Sequence, residues 1–288
     1  MVAIISDTEI DKEPSLQDLI LPQGVKQVLA YELKTGKPFR NAIALAGMGG
    51  TGKTALAFAV ARQLAATRLI LVSTRPEKKE IEFIQDSIID GAFLFCDEIH
   101  GYASQSWLLD VLYGAKGLGR KVEFTSFAAT TDRGKLPQTI MNRCPVKLFM
   151  QYSKEEELLI AERIASRFNV TLTDDERRIL VNASVGIPRT METLLGFFGN
   201  GDMNEAVQLA QLTVDGLDVD CLAMLEYLDE INRPIGRDTL AKVLSAPGGI
   251  HDIEMILSKR RYIQPTPGGL KVTPRGKARM QKNRTEGW

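Results

Sequence analysis

The eight residues GMGGTGKT at positions 47–54 follow directly on the apolar run NAIALA at 41–46. Gly47, Gly52, Lys53 and Thr54 satisfy the spacing G-x-x-x-x-G-K-[ST] over its full length. Glycine at 47, 49, 50 and 52 lets a backbone curl so that successive N–H groups converge on one point. The helix expected over 53–66 would add its positive N-terminal end. Together Gly47, Gly49, Gly50, Thr51, Gly52, Lys53, Thr54 and Ala55 form a candidate cradle for the phosphates of a nucleotide. Lys53 would supply a mobile charge to the β- and γ-phosphates, and the Thr54 hydroxyl would ligate Mg²⁺.

A phosphate loop implies a parallel sheet, and the next apolar runs supply one. LILVS, GAFLFC and KVEFTSFA are short, almost continuously apolar and separated by helix-patterned segments. This is the signature of strands covered on both faces. GAFLFC ends in Asp97-Glu98, where such a fold positions a metal-binding Asp. Glu98 beside it can polarise an attacking water as general base. A carboxylate in that role favours hydrolysis over binding alone.

The chain has 288 residues, 44% hydrophobic and 25% charged, an ordinary globular composition. Its formal net charge is zero, so affinity for nucleic acid would have to come from a local patch. Cys96, Cys144 and Cys221 are far apart and form no CxxC pair, which argues against disulfides and a zinc site. Such scattered thiols suit a reducing cytosol. The N-terminal MVAIISDTEIDKEP carries acid early and reads as a polar leader rather than a signal peptide. With no apolar run of membrane-spanning length, a cytoplasmic protein is expected.

Beyond residue 150 the pattern changes. Ser153 and Glu156, then Thr173 and Glu176, stand in capping-box spacing before two helical stretches, and Pro188 opens a third. After Asp215-Gly216, three helical segments precede YIQPTPGGLKVTP, whose Gly/Pro tip suggests a hairpin. The expected organisation is α/β: a parallel-sheet P-loop domain over 1–150, a helical lid over 151–213 and a winged helix over 214–288.

In this order GMGGTGKT, CDEIH, AATTDRG, NRC and GIPR resemble the AAA+ ATPases, and within them the RuvB family of Holliday-junction branch-migration motors. The segment from GLDVDCLAMLEYLDEINRPIG to GGLKVT resembles that family's C-terminal domain, so the likeness covers roughly residues 16–275. It implies ATP with Mg²⁺ held by Thr54 and Asp97, and Leu19 and Ile20 wrapping the adenine. It implies a sensor-1 role for Thr130 or Thr131, with Thr131 favoured. Arg143 matches the arginine finger, which serves the neighbouring subunit's nucleotide, and Arg189 matches sensor 2. A planar guanidinium suits both tasks because it can grip a phosphoryl group bidentately. A finger acting in trans implies a ring or spiral, a hexamer in this family.

Two departures stand out. Where the family carries a hairpin that docks its junction-binding partner RuvA, only YGAKGLGRKVEF is present. The DNA-tracking wing of the family reads TPRGR, but here it reads TPGGL, and a TPRGK follows at 273–277. Lys271, Arg275 and Lys277, with Arg279, Lys282 and Arg284, make a basic tail that is expected to meet DNA phosphates without regard to sequence. Lys259-Arg260-Arg261 adds to it. The leading expectation is an oligomeric, ATP-dependent motor on duplex or branched DNA, with a protein partner in recombination or replication. A clamp or helicase loader, of a phage or mobile element, is the first alternative. An ATP-switched DNA-binding scaffold or regulator is the second.

Overall fold

A computed structural model describes residues 1–35, 39, 42–246 and 250–286, with the backbone alone at Thr35, at Asn200 and at 283–286. Two compact units divide the chain, Met1–Glu156 and Glu157–Trp288.

The first unit is built on six strands: β1 (Val2–Ser6), β2 (Ile43–Ala46), β3 (Arg68–Val72), β4 (Ala92–Cys96), β5 (Thr125–Thr130) and β6 (Val146–Phe149). They hydrogen-bond in the order β1-β3-β4-β5-β2-β6. All neighbours are parallel except β1, which runs antiparallel to β3 with Val2 opposite Val72 and Ser6 opposite Arg68. The expected polar leader is therefore an edge strand. Its Val-Ala-Ile-Ile core finds in β3 a partner about seventy residues away. β6 was likewise not anticipated, although VKLF is apolar at three of its four positions. Helices α1 (Asp7–Ile10), α2 (Gln23–Glu32), α3 (Lys53–Gln63), α4 (Lys78–Ser87), α5 (Ser106–Leu112), α6 (Ala115–Leu118) and α7 (Gln138–Arg143) complete this unit. Two apolar clusters cover the two faces of the sheet. One contains Ile70, Leu94, Trp107 and Leu108, and the other Leu45, Leu56, Phe93 and Phe127. Central strands buried on both sides explain why β4 and β5 carry no exposed residue.

The second unit takes in the helices α8 (Lys154–Arg167), α9 (Asp174–Ala183), α10 (Pro188–Phe197) and α11 (Met203–Leu209). Ser153 and Glu156 exchange backbone bonds at 2.8 and 3.2 Å, and Thr173 and Glu176 do so at 2.7 and 3.3 Å, so both capping boxes form. The lid has a fourth helix, α11, capped by Asp202, which the sequence reading did not separate. A winged helix follows, made of α12 (Val219–Ile231), α13 (Arg237–Val243), α14 (His251–Lys259) and the hairpin β7 (Ile263–Thr266) and β8 (Gly269–Val272). Its core gathers Leu225, Leu240, Leu257, Leu270 and Val272. The chain then forms α15 (Pro274–Glu286). Cys96, Cys144 and Cys221 are buried free thiols. Among the described residues no helix is long and apolar enough to cross a membrane.

Candidate functional site

The phosphate loop leaves β2 at Ala46 and enters α3 at Lys53. Gly50 and Gly52 have φ of +75° and +92°, the left-handed region that a side chain disfavours. Gly47 lies against β6: a Cβ there would come within 3.0 Å of the Met150 Cβ and 3.2 Å of its carbonyl oxygen. The Lys53 ammonium is buried and donates to the carbonyls of Gly47 and Met48 at 2.8 and 3.0 Å. Thr51 donates to Met48 O at 2.8 Å and receives no less support from outside, since the Tyr152 hydroxyl donates to its carbonyl at 2.8 Å. Met150 and Tyr152 thus brace the loop, a role sequence reasoning missed. Contact across about a hundred residues leaves no local signal.

Beside the loop, the end of β4 presents the acid pair. Thr54 Oγ1 lies 3.4 Å from Asp97 Oδ2, so a hydroxyl and a carboxylate from two elements share one point. Burial, and then the neighbouring Glu98 charge, raise the Asp97 carboxyl above the usual range. Glu98 has φ +46°, an uncommon backbone for a residue with a side chain. Its Oε2 accepts from the Thr131 amide at 3.0 Å and the Thr131 hydroxyl at 2.8 Å, and lies 3.2 Å from His100 Nδ1. Thr130, the other sensor-1 candidate, sits at the end of β5 with its hydroxyl 3.1 Å from His100 Nδ1. It also accepts from the Asp132 amide at 3.1 Å. Thr131 therefore touches the acid directly, and Thr130 reaches it through His100. Behind them Tyr102 donates to Asp97 O at 2.8 Å and Val72 O at 3.0 Å, fixing the turn after β4.

The remaining candidates lie elsewhere. Arg143 is the last residue of α7, its guanidinium carbon 3.9 Å from the centroid of the Tyr113 ring. Leu19 and Ile20 are half-buried in the extended stretch before α2, where Leu19 packs on the cluster containing Leu56. Arg189 is exposed in the first turn of α10, in the second unit. Between β4 and β5 the chain forms α5 and α6 and no strand, so a docking hairpin is absent from 97–124.

Placement of the basic residues corrects the expected patch. Lys271 is on wing strand β8, but Arg275 and Lys277 lie past the wing in α15. TPRGK has a structural meaning there. Thr273 accepts from the Gly276 amide at 3.1 Å, and a Cβ on Gly276 would fall 2.3 Å from Tyr262 O. Arg275 stands over the Tyr262 ring at 5.8 Å, and Lys277 donates to Asn232 Oδ1 at 2.7 Å. Arg279 is not a surface charge, because it forms a two-bond pair with Asp215 at 2.9 and 3.1 Å. Lys259 and Arg260 turn inward on Glu157, Val185 and Asn182. The side chain of Arg284 lies outside the described residues. At the wing tip, Gly269 has φ +122°, and a Cβ would lie 2.1 Å from Ile235 O, so the hairpin rests on the turn before α13.

The sheet order, the glycine loop at the mouth of β2 and the acids at the end of β4 give this chain the fold of the P-loop AAA+ ATPases, with a helical lid and a winged helix. Residues 43–152 match the family described as "ATPase family associated with various cellular activities (AAA)". The particular protein that the whole chain resembles is RuvB. It is 28% identical to the Holliday junction branch migration complex subunit RuvB of Thermobifida fusca, across 92% of this chain and 86% of that one. It is 29% identical to the subunit of Lactococcus lactis subsp. cremoris, across 87% and 86%. Among solved structures, the Thermotoga maritima RuvB branch migration motor superposes with a TM-score of 0.83 at 24% identity, covering 93% of this chain and 97% of that one. The FIGL-1 AAA domain in complex with ADP shares the fold more loosely, at a TM-score of 0.53 and 16% identity over 75% of this chain.

Proposed function

We propose that this protein is an oligomeric, Mg²⁺- and ATP-dependent motor that moves on duplex or branched DNA. The observation that carries this reading is the meeting of Thr54, Asp97, Glu98 and Thr131 beside the phosphate loop, in a chain similar to RuvB over 92% of its length.

Each residue then has a chemical task. The loop amides from Gly49 to Ala55 and the Lys53 ammonium hold the β- and γ-phosphates. Thr54 and Asp97 are two hard oxygen donors 3.4 Å apart, a donor set that fits Mg²⁺, which takes few protein ligands beside phosphate and water. When bound there, Mg²⁺ neutralises charge that builds on the phosphate oxygens. Glu98 receives a proton from the attacking water. Its contacts with Thr131 and His100 fall on Oε2, and Oε1 takes that proton. Thr131 orients the carboxylate and senses the γ-phosphate beside it. Leu19 and Ile20 wrap the base, Arg189 grips the phosphates from the lid over 151–213, and Arg143 enters the neighbouring subunit's site. The protomers form a ring or spiral, a hexamer by likeness to RuvB. Lys271, Arg275 and Lys277, in the winged helix over 214–288, meet the DNA backbone.

A loader of a clamp or helicase is the second reading. Its support is specific: α5 and α6 stand where a docking hairpin would be, so recruitment by a RuvA-like protein through that element is not available. An ATPase assay titrated with linear duplex, single strand and four-way junction at two salt concentrations tests both. A motor responds to any duplex and loses that response steeply with salt. Turnover indifferent to all three DNAs would reject it.

A further inference from the structure

Helix α9 ends at Ala183, and the amides of Val185 and Gly186 fold back onto the carbonyls of Asn182 and Val181. Two cations of the winged helix bind this turn as well. The Lys259 ammonium donates to Val185 O at 2.6 Å, and Arg260 donates to Asn182 O. Lys259 also forms an ion pair at 2.7 Å with Glu157, a buried carboxylate on α8. Consecutive cations at the negative end of a helix dipole are well placed electrostatically.

The turn they grip is strained. Val185 has φ +53°, which a β-branched residue rarely adopts, and Gly186 follows at +69°. A Cβ on Gly186 would overlap the Glu157 carboxylate at 1.9 Å. Gly216, in the link to α12, packs on the same turn: a Cβ there would lie 2.5 Å from Val185 Cγ2 and 2.6 Å from Ala183 O. Such backbone persists only where its surroundings over-determine it. Ile187 and Pro188 follow at once, and Arg189 is the second residue of α10. The turn is therefore the base from which the candidate sensor arginine projects.

We infer that Lys259 and Arg260 are positioning residues for Arg189, fastening the winged helix to the turn that carries it so that wing and lid move as one piece. Residues first suited to DNA contact instead serve as the coupling between nucleotide and wing. This rests on the proposed role of Arg189 in gripping nucleotide. It does not rest on DNA being the substrate.

The test is hydrogen exchange on the full-length protein with and without Mg²⁺ and ATPγS. Glu157→Gln/Lys259→Met removes both charges together, leaving no buried carboxylate stranded, and Lys259→Arg keeps the cation. In the parent protein, nucleotide is expected to slow exchange at residues 182–189 and 259–273 together. In the double variant the turn amides exchange about tenfold faster, and the wing no longer responds. Lys259→Arg restores the joint response. A wing that responds equally in the double variant, or that does not respond in the parent, would overturn the inference. So would a fall of about one in the salt slope of duplex binding by the double variant, which would make Lys259 a phosphate contact. ATPase unresponsive to DNA would reject the motor reading and leave this exchange result standing.

Discussion

The central carbon of the Arg143 guanidinium lies over Tyr113, 3.9 Å from the ring centroid, with the Lys116 ammonium 5.3 Å from the same centroid. Tyr113 belongs to the segment that replaces the docking hairpin. Lys116 and, to a smaller degree, Arg143 hold its phenol below the usual tyrosine range. A cation over a ring face is attracted by the ring's quadrupole and keeps its charge, so Tyr113 can hold Arg143 in place without neutralising it. Tyr113→Ala should lower kcat about two- to fivefold with KM unchanged, and Tyr113→Phe should retain the parent rate. Steady-state ATPase kinetics decide it, and equal rates for Tyr113→Ala and the parent would count against a supporting ring.

Asp97 sits where ionisation costs stability. Its raised pKa, caused first by burial and then by Glu98, means that the neutral form suits the fold better than the ionised one. The stability associated with it is present in acid and lost as pH rises through its folded pKa. Asp97→Asn should therefore melt higher than the parent at pH 7 without ligand, with the gain shrinking towards acid. The same variant should lose the extra stabilisation that Mg²⁺ gives in the presence of ATP. Thermal melts across pH check both, and a lower melting temperature for Asp97→Asn at pH 7 would contradict the assignment.

Asp215 behaves in the opposite sense. Burial raises its pKa, but bonds from Arg279, Tyr262 and Thr213 outweigh it and bring the carboxyl down to about 2. A lowered pKa contributes stability above the ordinary carboxylate range, lost as pH falls through about 2. Asp215→Asn should cost about 2 kcal/mol at pH 7, narrowing between about pH 4 and pH 2. Urea unfolding at several pH values measures it, and a cost independent of pH would refute the mechanism.

Two kinds of basic residue, in β8 and α15, should separate in a DNA titration. Lys271→Ala and Arg275→Ala should weaken binding to every duplex alike, each reducing the salt slope by about one. Arg279→Met should lower stability through the freed Asp215 and leave that slope unchanged. A reduced slope for Arg279→Met would restore it to the DNA face.

What could be read in the sequence was what is contiguous in it. The phosphate loop, the acid pair and the capping boxes each span at most eight residues, and their spacing alone carries the chemistry. β1 was missed because its partner is β3, and the acids just after it look like a solvated leader. The basic run was over-read for the same reason. Lys259, Arg260 and Arg279 meet partners 102, 78 and 64 residues away, and nothing beside them announces those partners. Tyr152 under Thr51 and Tyr113 under Arg143 are also products of the fold, meeting partners 101 and 30 residues away. A charge in a sequence is a solvated charge until the fold supplies its counterion.

Subunit mixing tests the shared site most directly. Lys53→Ala disables a protomer's own nucleotide site but keeps its Arg143, whereas Arg143→Ala keeps the site and lacks the finger. Each alone should be close to inactive, since an arginine finger contributes about 10³–10⁵ in rate. Mixed in equal amounts, they should recover a substantial fraction of the parent ATPase, growing with protein concentration. No recovery on mixing, or full turnover by Arg143→Ala alone at any dilution, would contradict hydrolysis completed by a neighbouring protomer.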